Sequence, residues 1–128
     1  MYRQAMTAGA LLAGLAVVLG AFGAHALKAV LAPDQLLVFE TGVRYQFYHS
    51  FALLITGMAF SAFPVKQLKL ATTFFIIGIV LFSGSLYAMT LLSISGASLG
   101  MVGIVTPIGG LFLITGWIML LLGVAKSK

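Results

Sequence analysis

Between Gln4 and Leu27 the chain runs without a single Asp, Glu, Lys or Arg, and three further apolar stretches follow at about 43–63, 70–92 and 106–124. A helix needs about 20 predominantly apolar residues to cross a hydrocarbon core. Because lipid offers backbone groups no hydrogen-bonding partner, such segments must satisfy their own amides, which makes them helices. The expectation is an all-α protein: a bundle of four transmembrane helices forming one integral membrane domain over residues 1–128. Composition supports this, since 62% of residues are hydrophobic, 7% are charged and the mean hydropathy is +1.18, whereas soluble domains carry about a quarter charged residues. The net charge of +5 does not point to nucleic acid, because the basic residues stand at the ends of apolar spans, where they set topology. With no cysteine in the chain, disulfides, thiolate nucleophiles and cysteine metal sites are excluded.

Taken in order, the first span is flanked by Arg3 and ends at Lys28. Ala24-His25-Ala26 resembles a small-x-small cleavage pattern, but the preceding apolar run exceeds a normal signal core, so the segment is expected to remain as a span. Gly9, Ala13, Ala16, Gly20 and Leu27 fall on one stripe that another helix can approach closely, with His25 on roughly the opposite face. Pro33 and Asp34 mark a new helix start. The piece from Pro33 to Thr41 reads as a short interfacial helix that bends near Gly42 and leads into the second span.

Glu40 to His49 concentrates most of the chemistry, with Glu40, Arg44, Tyr45 and His49 in ten residues of an otherwise apolar chain. Charge inside a bilayer is costly, so such a cluster is a functional-site candidate. On a regular helix Glu40 and Arg44 are four apart, in the favourable order for an ion pair. Gly42, Tyr45, His49, Ala52 and Thr56 form a small and polar interface stripe, and Phe47, Phe51, Leu54, Ile55 and Met58 a lipid-facing one. Arg44 and His49 therefore point apart.

Pro64 closes the second span, and Lys66 and Lys69 read as a short basic connection. In the third span Ser83, Tyr87 and Thr90 share a face suited to hydrogen bonds between helices. Gly96, Gly100 and Gly103 suggest a tight turn, Thr106-Pro107 a helix start, and Gly109, Gly116 and Gly123 a packing seam at sevenfold spacing. Leu54-Ile55-Thr56-Gly57-Met58 recurs as Leu113-Ile114-Thr115-Gly116-Trp117, a hint that two hairpins of like orientation repeat. Arg3, Lys66, Lys69, Lys126 and Lys128 fall on one side of the membrane and Lys28, Asp34, Glu40 and Arg44 on the other. The positive-inside rule then makes both termini cytoplasmic, and His25, Glu40, Arg44, Tyr45, His49, Ser83, Tyr87 and Thr106 lie in or near the outer half.

The chain resembles the YgdD-like family of small bacterial inner-membrane proteins of uncharacterised function. The resemblance rests on Gly20-Ala21-Phe22-Gly23-Ala24-His25-Ala26-Leu27, Phe39-Glu40-Thr41-Gly42-Val43-Arg44-Tyr45-Gln46 with Tyr48-His49, Ser83-Gly84-Ser85-Leu86-Tyr87-Ala88, and Thr106-Pro107-Ile108-Gly109-Gly110 with Gly116-Trp117. It implies a four-helix protein of the bacterial inner membrane and supplies no reaction.

Three function classes stand open. The first is binding or transport: Arg44 offers a planar fork to a small anion, a substrate carboxylate or a lipid phosphate, with His25, Glu40, Tyr45, His49, Ser83 and Tyr87 completing an outer polar site. Four short helices enclose little volume, so a homo-oligomer is expected to build that site, with membrane lipids as the surrounding partner and no nucleic acid. The second class is a non-catalytic accessory or structural protein that packs on a larger partner through its glycine faces. A metal-dependent intramembrane enzyme ranks last. Two histidines and one carboxylate lack a short ligand spacing, the Gly84-Ser85 and Gly96-Ala97-Ser98 resemblance to intramembrane serine protease loops is weak, and no cofactor is implied.

Overall fold

The structure, a computed structural model, describes residues 1–97 and 100–126. Among the described residues there are four helices, α1 (Arg3–His25), α2 (Pro33–Ala59), α3 (Lys66–Ser93) and α4 (Val102–Lys126), with a single 3₁₀ turn, Leu27–Ala29, after α1. Among the described residues three stretches are long and apolar enough to cross a membrane: α1 with its 3₁₀ turn, α3 with Ile94, and α4. α2 is as long as the others but carries Asp34, Glu40 and Arg44 in its first half.

Each helix packs mainly on its neighbour in sequence; α3 against α4 is the most extensive seam, and α1 barely touches α3. A Cβ on Gly23 would meet Phe39 and one on Gly57 would meet Met6, so α1 and α2 run antiparallel. Gly42 meets Tyr87 while His49 packs on Phe75, which reverses direction again between α2 and α3. Gly78 against Leu113 and Gly116 against Phe75 do the same for α3 and α4. α1 and α3 are therefore parallel, with α2 laid between them.

Polarity is distributed as lipid demands. Leu11, Val18, Val80, Leu111 and Leu121 are each at least 60% exposed, an outer surface that water would reject. The interior holds Ala5, Ala52, Leu53, Ala71, Phe75, Ile79 and Leu113, interleaved with fully buried hydroxyls at Ser50, Thr56 and Thr90. Those hydroxyls bond back to the carbonyls of Gln46, Ala52 and Leu86 on their own helix, so small polar side chains can be buried without an orphaned donor. Among the described residues no buried side-chain nitrogen or oxygen lacks a partner.

Several boundaries differ from the sequence reading. The short interfacial helix is absent as a separate element: α2 runs without interruption from Pro33, because Gly42 faces the Tyr87 ring and its carbonyl accepts the Ser83 hydroxyl at 2.7 Å. α2 stops at Ala59 rather than Phe63: the Gly57 carbonyl accepts the Tyr2 N–H at 2.9 Å, and the Ser61 N–H turns back to the Met58 carbonyl at 3.2 Å. Lys66 and Lys69 belong to the first turn of α3 rather than to a connection, with the Lys69 ammonium 5.8 Å from the centre of the Tyr2 ring and 5.6 Å from that of Phe60. α4 begins at Val102, a turn before Thr106, and Pro107 lies inside it. Thr106 is no helix cap; its hydroxyl sits 2.6 Å from that of Ser85 and ties α4 to α3. The expected turn does contain Gly96 in the left-handed region, at φ +75°, where a side chain would be strained. Ser98 and Lys128 lie outside the described residues.

Candidate functional site: a buried polar stitch between two lateral hollows

The site is built on the buried side of α2. Counting 100° per residue, Gly42, Gln46, His49, Ser50 and Leu53 turn inward together, and all five are buried. Gln46 is only 3% exposed. Its amide Nε2 donates to the Leu12 carbonyl of α1 at 2.7 Å, and its Oε1 accepts the Tyr87 hydroxyl of α3 at 2.6 Å. One side chain thus stitches three helices, and in lipid each of these bonds replaces a group with no water to turn to.

His49 lies one turn further along. Its Nδ1 is 2.7 Å from the Tyr45 carbonyl, and its Nε2 is 3.0 Å from Trp117 Nε1 on α4. A carbonyl can only accept and an indole N–H can only donate. The imidazole is therefore neutral, with its hydrogen on Nδ1 and its Nε2 occupied by Trp117. Protonation of Nε2 would set two donors against each other.

Two hollows flank this row. One, of about 330 Å³, opens between α1 and α3; its walls are Leu12, Leu15, Val18, Leu19, Ile79 and Val80, and its floor is Gln46, Ser83, Gly84 and Tyr87. The other, of about 350 Å³, lies on the α2–α4 side and is lined by Tyr45, His49, Phe82, Gly110, Leu113, Ile114 and Trp117. Tyr45 stands at its lip with 39% exposure, stacked 4.7 Å from Phe82.

The candidate residues accordingly separate into three groups. Ser83 and Tyr87 meet on the α1–α3 side, and Tyr45 and His49 on the α2–α4 side. His25, Glu40 and Arg44 are all exposed and border neither hollow. The shared outer pocket drawn from sequence is not formed within the chain, because Arg44 is about 200° around α2 from Gln46 and looks away from the stitch. The α2 interface stripe is otherwise as expected: Gly42, His49, Ala52 and Thr56 are buried. Among the described residues no three His, Asp or Glu side chains gather where they could hold a metal ion.

Gln46 and Trp117 are the site residues that sequence reasoning passed over. Gln46 carried a readable signal, four residues after Gly42 and four before Ser50 on one face. Trp117 carried none, since its partner is on a helix that is not its neighbour in sequence.

Comparison with known proteins places this arrangement in a family. Residues 19–110, more than half of the chain, match the family model described as "Protein of unknown function (DUF423)". A UPF0382 membrane protein of Haemophilus influenzae is 39% identical over 129 residues, covering 100% of this chain and 98% of the relative. The UPF0382 membrane protein YwdK of Bacillus subtilis is 41% identical over 121 residues, covering 92% and 93%. The UPF0382 inner membrane protein YgdD of Escherichia coli is 35% identical over 112 residues, covering 88% and 82%. No solved structure matches the chain. On both the matched span and the identities, the chain belongs to the DUF423, or UPF0382, family of membrane proteins.

Proposed function

We propose that the chain is a four-span protein of the bacterial inner membrane, with both termini cytoplasmic, that holds the apolar chain of a membrane lipid in the furrow between α1 and α3. The observation that carries the reading is the hollow of about 330 Å³ whose walls are aliphatic and whose polar floor is already satisfied. Because Gln46, Ser83 and Tyr87 bond to the protein itself, the floor demands nothing polar of a guest. The walls then favour a hydrocarbon, and the surrounding bilayer supplies one.

Packing supports the fourth crossing. α1 and α3 are parallel and both apolar enough to span, so the chain leaving the end of α1 must return before α3 can start. α2 makes that return, packed along both, with its charges confined to one end and none from Tyr45 to Ala59. Arg3, Lys66, Lys69 and Lys126 gather at one end of the bundle, and Lys28, Asp34, Glu40 and Arg44 belong to the other, which by the positive-inside rule makes the first end cytoplasmic. The E. coli relative is named an inner membrane protein. Gly57 and Gly116, matched in the internal repeat, both pack on the preceding helix of their own hairpin, which supports a parallel duplication. The furrow lies within one chain, so this reading needs no second copy. The accessory-protein alternative loses support, since the buried glycines of α1 and α4 are filled by α2 and α3.

Gly84 provides the test. It lines the furrow, yet a Cβ there would meet nothing within 4 Å, so Gly84→Phe fills the space without pushing helices apart. Purified in a mild detergent, the parent protein should retain lipid detectable by mass spectrometry and the variant should lose most of it; equal retention would refute the furrow. Sidedness is read separately with single cysteines: Asp34→Cys should react with an impermeant reagent from outside and Lys66→Cys only from inside, and the reverse pattern would overturn the orientation.

A further inference from the structure

A third hollow, of about 490 Å³, is lined by Arg3, Gln4, Thr7, Ala8, Leu11 and Ile76; it borders α1 and α3 like the furrow, one turn nearer their basic ends. On α1, Gln4, Ala8, Leu11, Leu15 and Val18 recur at spacings of four and three, and Lys69, Thr73, Ile76, Val80, Gly84 and Tyr87 do the same on α3, so each set forms a single stripe. In both stripes the polar side chains stand nearest the basic end, Gln4 on α1 and Lys69 and Thr73 on α3, and small or aliphatic side chains follow up to the level of Gln46.

Arg3 borders this hollow, and Lys69 stands close by without lining it. The Lys69 ammonium lies over the Tyr2 and Phe60 rings, which holds it beside the start of α1. The Tyr2 hydroxyl donates to Gln4 Oε1 at 2.7 Å. α1 and α3 are parallel and both begin at this end, so two positive dipole ends point the same way. The only acidic residues of the chain, Asp34 and Glu40, belong to the opposite end.

We propose that this hollow, bordered by Arg3 and with Lys69 beside the adjoining Tyr2, binds the phosphate diester of an anionic phospholipid whose acyl chain lies in the furrow. The occupant is a lipid rather than free phosphate because the hollow that Arg3 borders has Ala8, Leu11 and Ile76 among its walls, apolar surface that a free ion would leave unused. The proposal rests on the furrow reading and adds to it the charge of the headgroup and the leaflet it comes from, the one that faces the basic end.

The experiment uses the full chain reconstituted in nanodiscs of equal phosphatidylglycerol and phosphatidylcholine, extracted in mild detergent, with retained lipid identified by mass spectrometry. The parent protein should hold the anionic lipid in excess. Arg3→Gln and Lys69→Gln should each lower that excess by about fivefold, the weight of one basic residue at an anionic surface, and the double variant should approach the ratio of the membrane. Arg3→Lys with Lys69→Arg should keep it, which separates charge from packing, and added inorganic phosphate should leave it unchanged. Lipid retained at the membrane's own ratio, an excess that survives the double substitution, or displacement by inorganic phosphate would overturn the headgroup site while leaving the furrow intact. A parent protein that retains no lipid would remove both.

Discussion

The α3–α4 seam and the α1–α3 furrow are both marked by glycine, and the glycines do opposite things. Along the seam, Gly78, Gly109, Gly116 and Gly123 are buried, and an added Cβ at Gly109 would run into the Phe82 backbone. Gly84 is on the same helix as Gly78, yet a Cβ there would meet only open space. Glycine lets two backbones approach only where the helices are direct partners. Between α1 and α3 the body of α2 intervenes and holds them apart, so the missing side chain becomes room rather than contact.

The largest effect that could break this contrast is expected at Gly109. Gly109→Ala should destabilise the protein by about 3 kcal/mol, because backbone rather than a flexible side-chain end must give way; equilibrium unfolding in mixed micelles reads it directly. Next comes the stitch beneath the furrow. Gln46→Leu removes the bonds to Leu12 and Tyr87 and leaves the phenol orphaned, a loss of about 1.5 kcal/mol, while Tyr87→Phe removes one bond and should cost about 0.6 kcal/mol. If the two substitutions cost the same, the bond to the Leu12 carbonyl contributes nothing and α1 is held by packing alone. The smallest effect has the opposite sign: Gly84→Ala should stabilise α3 by about 0.5 kcal/mol, as alanine does over glycine in a helix interior. Gly84→Ala and Gly109→Ala responding alike would erase the distinction between furrow and seam.

Much of the bundle was legible in the chain. The apolar lengths predicted the helices to within a turn or so at most ends, and the period of α2 separated the exposed Phe51, Ile55 and Met58 from the buried Gly42, His49 and Ala52. The sevenfold glycines of α4 were correctly read as a seam. What they would meet was left open, and it is α3, because spacing reports that a face is smooth and says nothing of who covers it. The start of α4 was misread at Thr106-Pro107. Local preferences suited a cap there, but the Ser85 hydroxyl offers Thr106 a partner on another helix and the backbone carries α4 one turn further back. The polar cluster divides as its period implies: ten residues close in sequence span nearly three turns of helix, so Arg44 and Gln46 end on opposite sides.

From the chain alone came the medium, the helical elements and the end to which the charges belong, because apolar length and charge are read along one dimension and the bilayer acts on them one helix at a time. The tertiary structure alone decided that Gln46 joins α1 to α3, that Trp117 closes on His49, and that a furrow stays open above Gly84. Each of these depends on how far a helix is rotated against neighbours that sequence does not place. Such rotation is settled only when every backbone and side chain competes at once for the same few ångströms of space.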